Sequence, residues 1–481
     1  MSSATPQVLR SSVSSVLNTY IAPGASPFLP RDPHCCAAHL TEHVSLEQTT
    51  GQAKPGGRAV YDLPMDVDGI KSLFLDVRLN SCSTPGGGGA ATANNFGFVD
   101  YVGLAMIEEI MVRYGTERIQ VIRPLEMFEK LQWQLDSDKR DQILHLIGGG
   151  MTAAQRYQAC TRGRQQIQVP LLTLLGLHLG ADLSQTIMQR AMTERIKVEI
   201  KFAPVEKLFF ANGTFSCPDS AVASATPSAD TVFEEVFLTL EGVHVVDEER
   251  KVHEMIYKQP RRYMIREAQY CTPVRVPGAT TLNGSVIDIS LREINQPVVA
   301  LYVIIRWAAD VDRVVGGAGA DQGCRPFNVR GWYNPGASTT PTGQPIISHI
   351  EGLSGANIQF LKRTRVSRLL DYERARVYKG KTVLPRDVEE IPGAAIPHVS
   401  FSHDPTKENA VLGFIDFAQM DSPKLRLTFF SQAVGGVATN ATINAAATVD
   451  IGTNSDLEIT VVADTFNQLN FARNAMARPL N

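Results

Sequence analysis

Three groups of side chains in this sequence have types and spacings that could do chemistry. The first is His34, Cys35, Cys36, His39 and His43. Imidazole and thiolate are the donors that zinc takes, and a helix would bring His39 and His43 onto one face. Cys35 and Cys36 are chain neighbours, however, and adjacent side chains rarely both reach one tetrahedral ion. The paired spacings of known zinc sites are absent as well, so neither a metal nor a cofactor is expected. The second group is acidic: Asp62, Asp66 and Asp68; Asp247, Glu248 and Glu249; Glu389 and Glu390. Glycoside hydrolysis needs two carboxyl groups facing each other across a cleft. The simpler reading is solvated strand ends and helix starts, where the helix dipole favours acids. The third group is glycine motifs. In GKT at 380–382 the glycine that a phosphate-binding loop needs further upstream is Ala375, which removes that reading. GLSG at 352–355 lacks the spacing of a nucleophile elbow and reads as a turn. GGAGAD at 316–321 resembles one unit of a calcium-binding repeat, but such units bind in series and this one is single. No catalytic residue emerges, and the chain is not expected to be an enzyme.

The elements that would have to position any site are mostly strands. Apolar residues alternate with polar ones at Leu73, Leu75, Val77 and Leu79; at Ile196, Val198, Ile200 and Phe202; and at Val236, Leu238 and Leu240. The same period appears at Ile287, Ile289 and Leu291; at Leu425, Leu427 and Phe429; and at Leu457, Ile459 and Val461. Period two is the mark of antiparallel sheets with one covered face. PVVALYVIIRWAA at 297–309 is too short to span a bilayer, carries Arg306, and reads as a buried strand. Helices are few. The spacing of Leu125, Phe128, Leu131 and Leu135 after Pro124 predicts one over 124–135. A second should run to the glycine stop at Gly148, Gly149 and Gly150, and a third over 247–256. So few helices exclude a parallel sheet built from βαβ units.

Long stretches rich in Gly, Ala, Ser, Thr and Pro separate the strands, near 80–98, 211–231, 308–349 and 432–456. One order of elements recurs. KVEIKF at 197–202, a polar excursion and EEVFLTLEGVHV at 234–245 are echoed by KLRLTFF at 424–430, another excursion and DLEITVVADTF at 456–466. This predicts two β-sandwich domains in tandem, with a boundary near residue 255. The expected division is an N-terminal arm at 1–50, a first sandwich at 51–255 and a second at 256–481.

Composition narrows the function. A length of 481 residues with 44% hydrophobic and 20% charged residues suits two folded domains and excludes bulk disorder. A net charge of −3 provides no basic field for phosphate neutralisation, so direct nucleic-acid binding is not expected. The N-terminal segment lacks the basic and apolar regions of a signal peptide, and seven scattered cysteines do not make a disulfide framework. Synthesis in the cytoplasm follows as an expectation. Sequons at Asn212, Asn283 and Asn440 are short patterns that arise by chance.

The motifs that carry most meaning are strands and turns. YDLPMDVDGIKSLFLDVRL at 61–79 sets an aspartate and a turn before an alternating strand, and EEIMVRYGTERIQVI at 108–122 forms a hairpin about Tyr114 and Gly115. QVPLLTLLG at 168–176 follows, then FLTLEGVHVVDEERKVHE at 237–254 and YMIRE at 263–267. The last two are NQPVVALYVIIRW at 295–307 and GFIDFAQMDSPKLRLTFF at 413–430. In this order they resemble the major capsid proteins of the nucleocytoplasmic large DNA viruses. The departures are Tyr114 in a paired-glycine turn, Leu174 and Leu175 for aromatics, Gln296 for a histidine, and Asp416 and Ala418 in the late motif.

The resemblance implies an all-β fold of two tandem eight-stranded antiparallel jelly rolls. It implies homotrimers shaped as pseudo-hexagonal capsomers in an icosahedral shell around a double-stranded DNA genome. The implied partners are neighbouring capsomers, minor capsid and penton proteins and, indirectly, an internal membrane. The rival reading is a β-sandwich that binds or hydrolyses carbohydrate. Only three tryptophans and 7% aromatic residues leave little material for a sugar-stacking platform.

Overall fold

Strand pairing turns the alternation of the sequence into two copies of one pattern. The computed structural model describes residues 39–81, 96–133, 137–149, 151, 155, 158–160, 165–173, 187–211, 232–276, 286–307, 311, 327, 347–355, 358–365, 398–402, 413–429, 457–472 and 475–477. The first copy consists of β1 (His39–Leu46), β2 (Arg58–Asp62), β3 (Gly69–Leu79), β4 (Ile107–Tyr114), β5 (Glu117–Ile122), β6 (Gln165–Pro170), β7 (Ile196–Phe202) and β8 (Phe233–Val245). The second consists of β9 (Arg261–Tyr270), β10 (Val286–Ser290), β11 (Val298–Trp307), β12 (Ile347–Ser354), β13 (Ile358–Arg365), β14 (His398–Ser400), β15 (Lys424–Phe429) and β16 (Leu457–Ala472).

In the first copy the sheets run β1-β8-β3-β6 and β2-β7-β4-β5, and in the second β9-β16-β11-β14 and β10-β15-β12-β13. These neighbours pair antiparallel. In each copy the first strand pairs with the eighth, the second with the seventh, the third with the sixth and the fourth with the fifth. One long hairpin wrapped on itself gives this order, which is the jelly roll. The weak repeat in the sequence is thus the seventh and eighth strands of each copy.

The expected alternations bury the expected faces. Leu73, Leu75, Val77 and Leu79 meet Ile110, Val112, Val198 and Ile200 between the sheets of the first copy. Leu301, Val303, Ile305, Ile459 and Val461 meet Leu425 and Leu427 in the second. β11 reads as a continuous apolar run because both its faces are covered. Leu301, Val303 and Ile305 face their own core, whereas Ala300, Tyr302 and Ile304 join the core of the first copy.

The three expected helices form, α1 (Pro124–Trp133), α2 (Ser137–Leu146) and α3 (Asp247–Lys258), and a short buried helix at Val102–Ala105 was not expected. The stop of α2 needs glycine. Gly148 takes φ +76, its N–H donates to the His145 carbonyl at 3.0 Å, and the Gly149 N–H donates to the Leu144 carbonyl at 2.7 Å. This closes the last turn through a left-handed residue.

Some expectations are corrected. Residues 39–50 are not part of a separate arm: β1 pairs with β8, and the short strand Thr50–Gly51 pairs with β2. β1 is a mostly exposed edge strand, and Glu42 interrupts the alternation of Leu40, Val44 and Leu46. His39 and His43 consequently lie on a strand rather than a helix face, opposite Val245 and Glu241. Gly352, Leu353 and Ser354 of the GLSG motif end β12, and only Gly355 turns, with φ +37. The expected boundary near 255 falls inside α3, which runs from the last strand of the first jelly roll towards the first strand of the second.

Candidate assembly surfaces and the joint between the jelly rolls

The helix that links the two halves is fastened by a buried carboxylate. Asp68, in the turn before β3, is 2% exposed. It accepts the Val245 N–H at 2.9 Å, Arg250 Nε at 2.7 Å and Arg250 Nη2 at 2.9 Å. Arg190 stands 3.7 Å away. Arg250 also reaches back to Asp247 at 2.5 Å and the Val245 carbonyl at 3.3 Å. Burial pushes the Asp68 carboxyl up, but the Arg250 and Val245 hydrogen bonds and the charges of Arg250 and Arg190 outweigh it and hold the group below the ordinary range. A group depressed in the folded state contributes stability above its unfolded pKa of about 3.9, and that contribution disappears as pH falls through the native value. Asp68→Asn is expected to lose about 2–3 kcal/mol at neutral pH, the worth of charge-assisted hydrogen bonds. It should also flatten the acid limb of a urea-unfolding series, which an unchanged acid limb would contradict.

The two jelly rolls meet along a second, drier seam. On the first side stand β5 and α1, and on the other β9 and β16. Gln120 of β5 reaches the Arg266 carbonyl at 3.4 Å, and Arg123 lies 4.8 Å over the Tyr270 ring. Arg266, 1% exposed, pairs with Asp464 at 2.7 Å and lies 5.1 Å from the Phe466 ring centre. Glu126 pairs with Lys130 at 2.9 Å one turn along α1. Thr465 Oγ1 donates to the Gln296 side chain at 2.7 Å, and Asn467 Nδ2 donates to Glu267 at 2.9 Å. Apolar packing continues the seam: the Phe128 ring sits 5.1 Å from Tyr101 and 5.3 Å from Phe327.

The outer surface offers strand edges. Leu40 on β1, Val286 on β10 and Ile358 on β13 are 67%, 53% and 70% exposed, and each lies on the outermost strand of its sheet. Open edges with exposed apolar side chains are places where another chain can pair or pack.

Among the described acidic residues singled out in the sequence, Asp68 and Asp247 share Arg250, and the others do not join them. Asp62, on β2, pairs with Lys197 at 3.5 Å, Asp66 is exposed, and Asp247 opens α3. Asp68 departs from the solvated position expected of this group: it is buried against Arg250. Glu248 and Glu249 lie on α3. His34, Cys35, Cys36, Glu389, Glu390, the sequons and the motifs at 316–321 and 380–382 lie outside the described residues. Among the described residues no three His, Cys, Asp or Glu side chains converge as metal ligands, and no helix is long and apolar enough to cross a membrane.

The capsid-like motifs have structural roles. Val298 and Ile415, from the two late motifs, exchange backbone hydrogen bonds at 2.7 and 2.9 Å. Gln296, which departs from the family's histidine, is buried against Thr465.

No family model matches the chain, and no curated protein matches it in sequence. Solved structures match its fold. PBCV-1 VP54, in a crystal structure fitted into a reconstruction of the virophage Sputnik, is 12% identical, with a TM-score of 0.63 over 94% of this chain and 100% of that one. The quasi-atomic model of the PBCV-1 virus capsid gives 13% identity and a TM-score of 0.63, again over 94% and 100%. The Faustovirus major capsid protein is 10% identical, with a TM-score of 0.60 over 93% of each chain. The chain therefore has the double jelly-roll fold of viral major capsid proteins, matched along nearly its whole length.

Proposed function

We propose that this protein is a major capsid protein of a large DNA virus and a structural component of its virion. The observation that carries the reading is the duplicated strand order, which a capsid subunit of the same fold matches over 94% of this chain. Two jelly rolls side by side give one subunit two similar lobes, and three subunits around a threefold axis give six, a pseudo-hexagonal capsomer that tiles a facet. The finer parts of the reading follow from this: homotrimers, contacts with neighbouring capsomers and with minor capsid and penton proteins, synthesis in the host cytoplasm, and no catalysis. Residues up to 38 remain as the proposed arm.

Chemistry at the surface has little support. Glu126 and Glu129, two carboxyl groups that interact electrostatically, are 2% and 3% exposed and cannot reach a sugar. Purified full-length protein is expected to scatter light as three chains and to show hexagonal outlines by negative-stain microscopy. A stable folded monomer at micromolar concentration would refute the capsomer reading.

A further inference from the structure

The seam between the jelly rolls holds more negative than positive groups. Glu126, Glu129, Glu267 and Asp464 are 2%, 3%, 9% and 5% exposed, against Lys130 and Arg266 at 6% and 1%. Asp464 is matched by Arg266, Glu126 by Lys130, and Glu267 accepts from Asn467. Glu129 is left over: it forms no ion pair among the described residues, and its Oε1 is buried and accepts no hydrogen bond. A bare carboxylate in such a place is strongly unfavourable, and a group so placed neutralises instead. With no metal-ligand cluster among the described residues, a proton is the simplest neutralising species.

We propose that Glu129 is seated in the seam as the neutral acid, and that its ionisation is the event that loosens one jelly roll from the other. The groups facing this cluster are Glu126 and Lys130 on α1, Arg266, Glu267 and Tyr270 on β9, Asp464 on β16, and Arg123 at the rim over Tyr270. Burial pushes the Glu129 carboxyl well above its ordinary range, Glu126 and Asp464 push it further, and Lys130 opposes them. Because the folded state holds a proton that the unfolded chain releases, stability is full below the unfolded pKa and is lost as pH rises through the native value. The joint is therefore sensitive to alkali, opposite in sign to the Asp68 clasp. This goes beyond the capsid reading and holds whether or not the chain builds a shell.

Calorimetric unfolding of the full-length protein and of E129Q, from mildly acidic to alkaline pH, tests it. One retained proton changes the folding equilibrium about tenfold per pH unit between the two pKa values. The wild-type Tm should fall across that interval. In E129Q, which carries a neutral side chain of the same shape, that part of the slope should vanish and Tm at neutral pH should be higher. Parallel profiles would overturn the proposal. Should E129Q fail to fold, hydrogen exchange on the unsubstituted chain, corrected for the intrinsic pH dependence, decides. Protection lost on alkalinisation first in 124–133 and 261–270 supports it, and loss spread evenly over the chain overturns it.

Discussion

Arg266→Met is expected to destabilise the protein by about 3–5 kcal/mol, the usual result of removing one partner from a buried ion pair. The arginine is 1% exposed and its partner Asp464 is 5% exposed, so water cannot take over its role. The Asp464 carboxylate would be left facing Glu126 across the seam, and the substitution would add repulsion to lost attraction. The double variant Arg266→Met with Asp464→Leu should recover most of the loss, because a well-packed apolar pair replaces a buried ion pair at little net cost. Urea unfolding of the single and double variants measures the coupling. A double variant as unstable as the sum of its parts would show that the pair is not the source of the effect.

The second large effect is expected at Phe128. Its ring is wholly buried, against Tyr101 on its own side of the joint and Phe327 of the second half. Truncation to alanine removes a buried aromatic side chain and leaves a cavity, which typically amounts to about 3–5 kcal/mol. Because the ring bridges the two halves, the loss should also separate one cooperative unfolding transition into two. A single transition lowered by under about 1 kcal/mol would mean that the site collapses around the gap and that the joint does not depend on it.

The fold was legible wherever a strand has one wet and one dry face. β3 and β15 alternate in sequence as they do in space. β16 shows the limit. Leu457, Ile459 and Val461 announce the strand, but Glu458, Thr460 and Asp464 on its other face are also buried, 5%, 3% and 5% exposed. Asp464 meets Arg266 and Glu458 meets Arg306 at 2.7 Å, pairings between residues far apart in the chain. A polar residue at an alternate position looks the same whether water or another sandwich covers it. Asp68 was misread for this reason, since its partner Arg250 is 182 positions away. β1 is hidden for another reason: Glu42 interrupts the alternation of Leu40, Val44 and Leu46 on a short, mostly exposed edge strand. The capsid-like motifs were readable because turns and strand starts are local.

The doubly covered sheet β9-β16-β11-β14 has a consequence for how the protein must be made. A second jelly roll alone would present Ala300, Tyr302, Ile304 and Val462 to solvent, an apolar sheet face prone to self-association. The 12-residue helix α3 keeps the two halves tethered, which for short linkers corresponds to an effective concentration in the mM range. The first half leaves the ribosome earlier and can offer its matching face as the second emerges. Covalent linkage thus lets one half act as the folding template of the other, and two unlinked polypeptides at cellular dilution would lose that advantage.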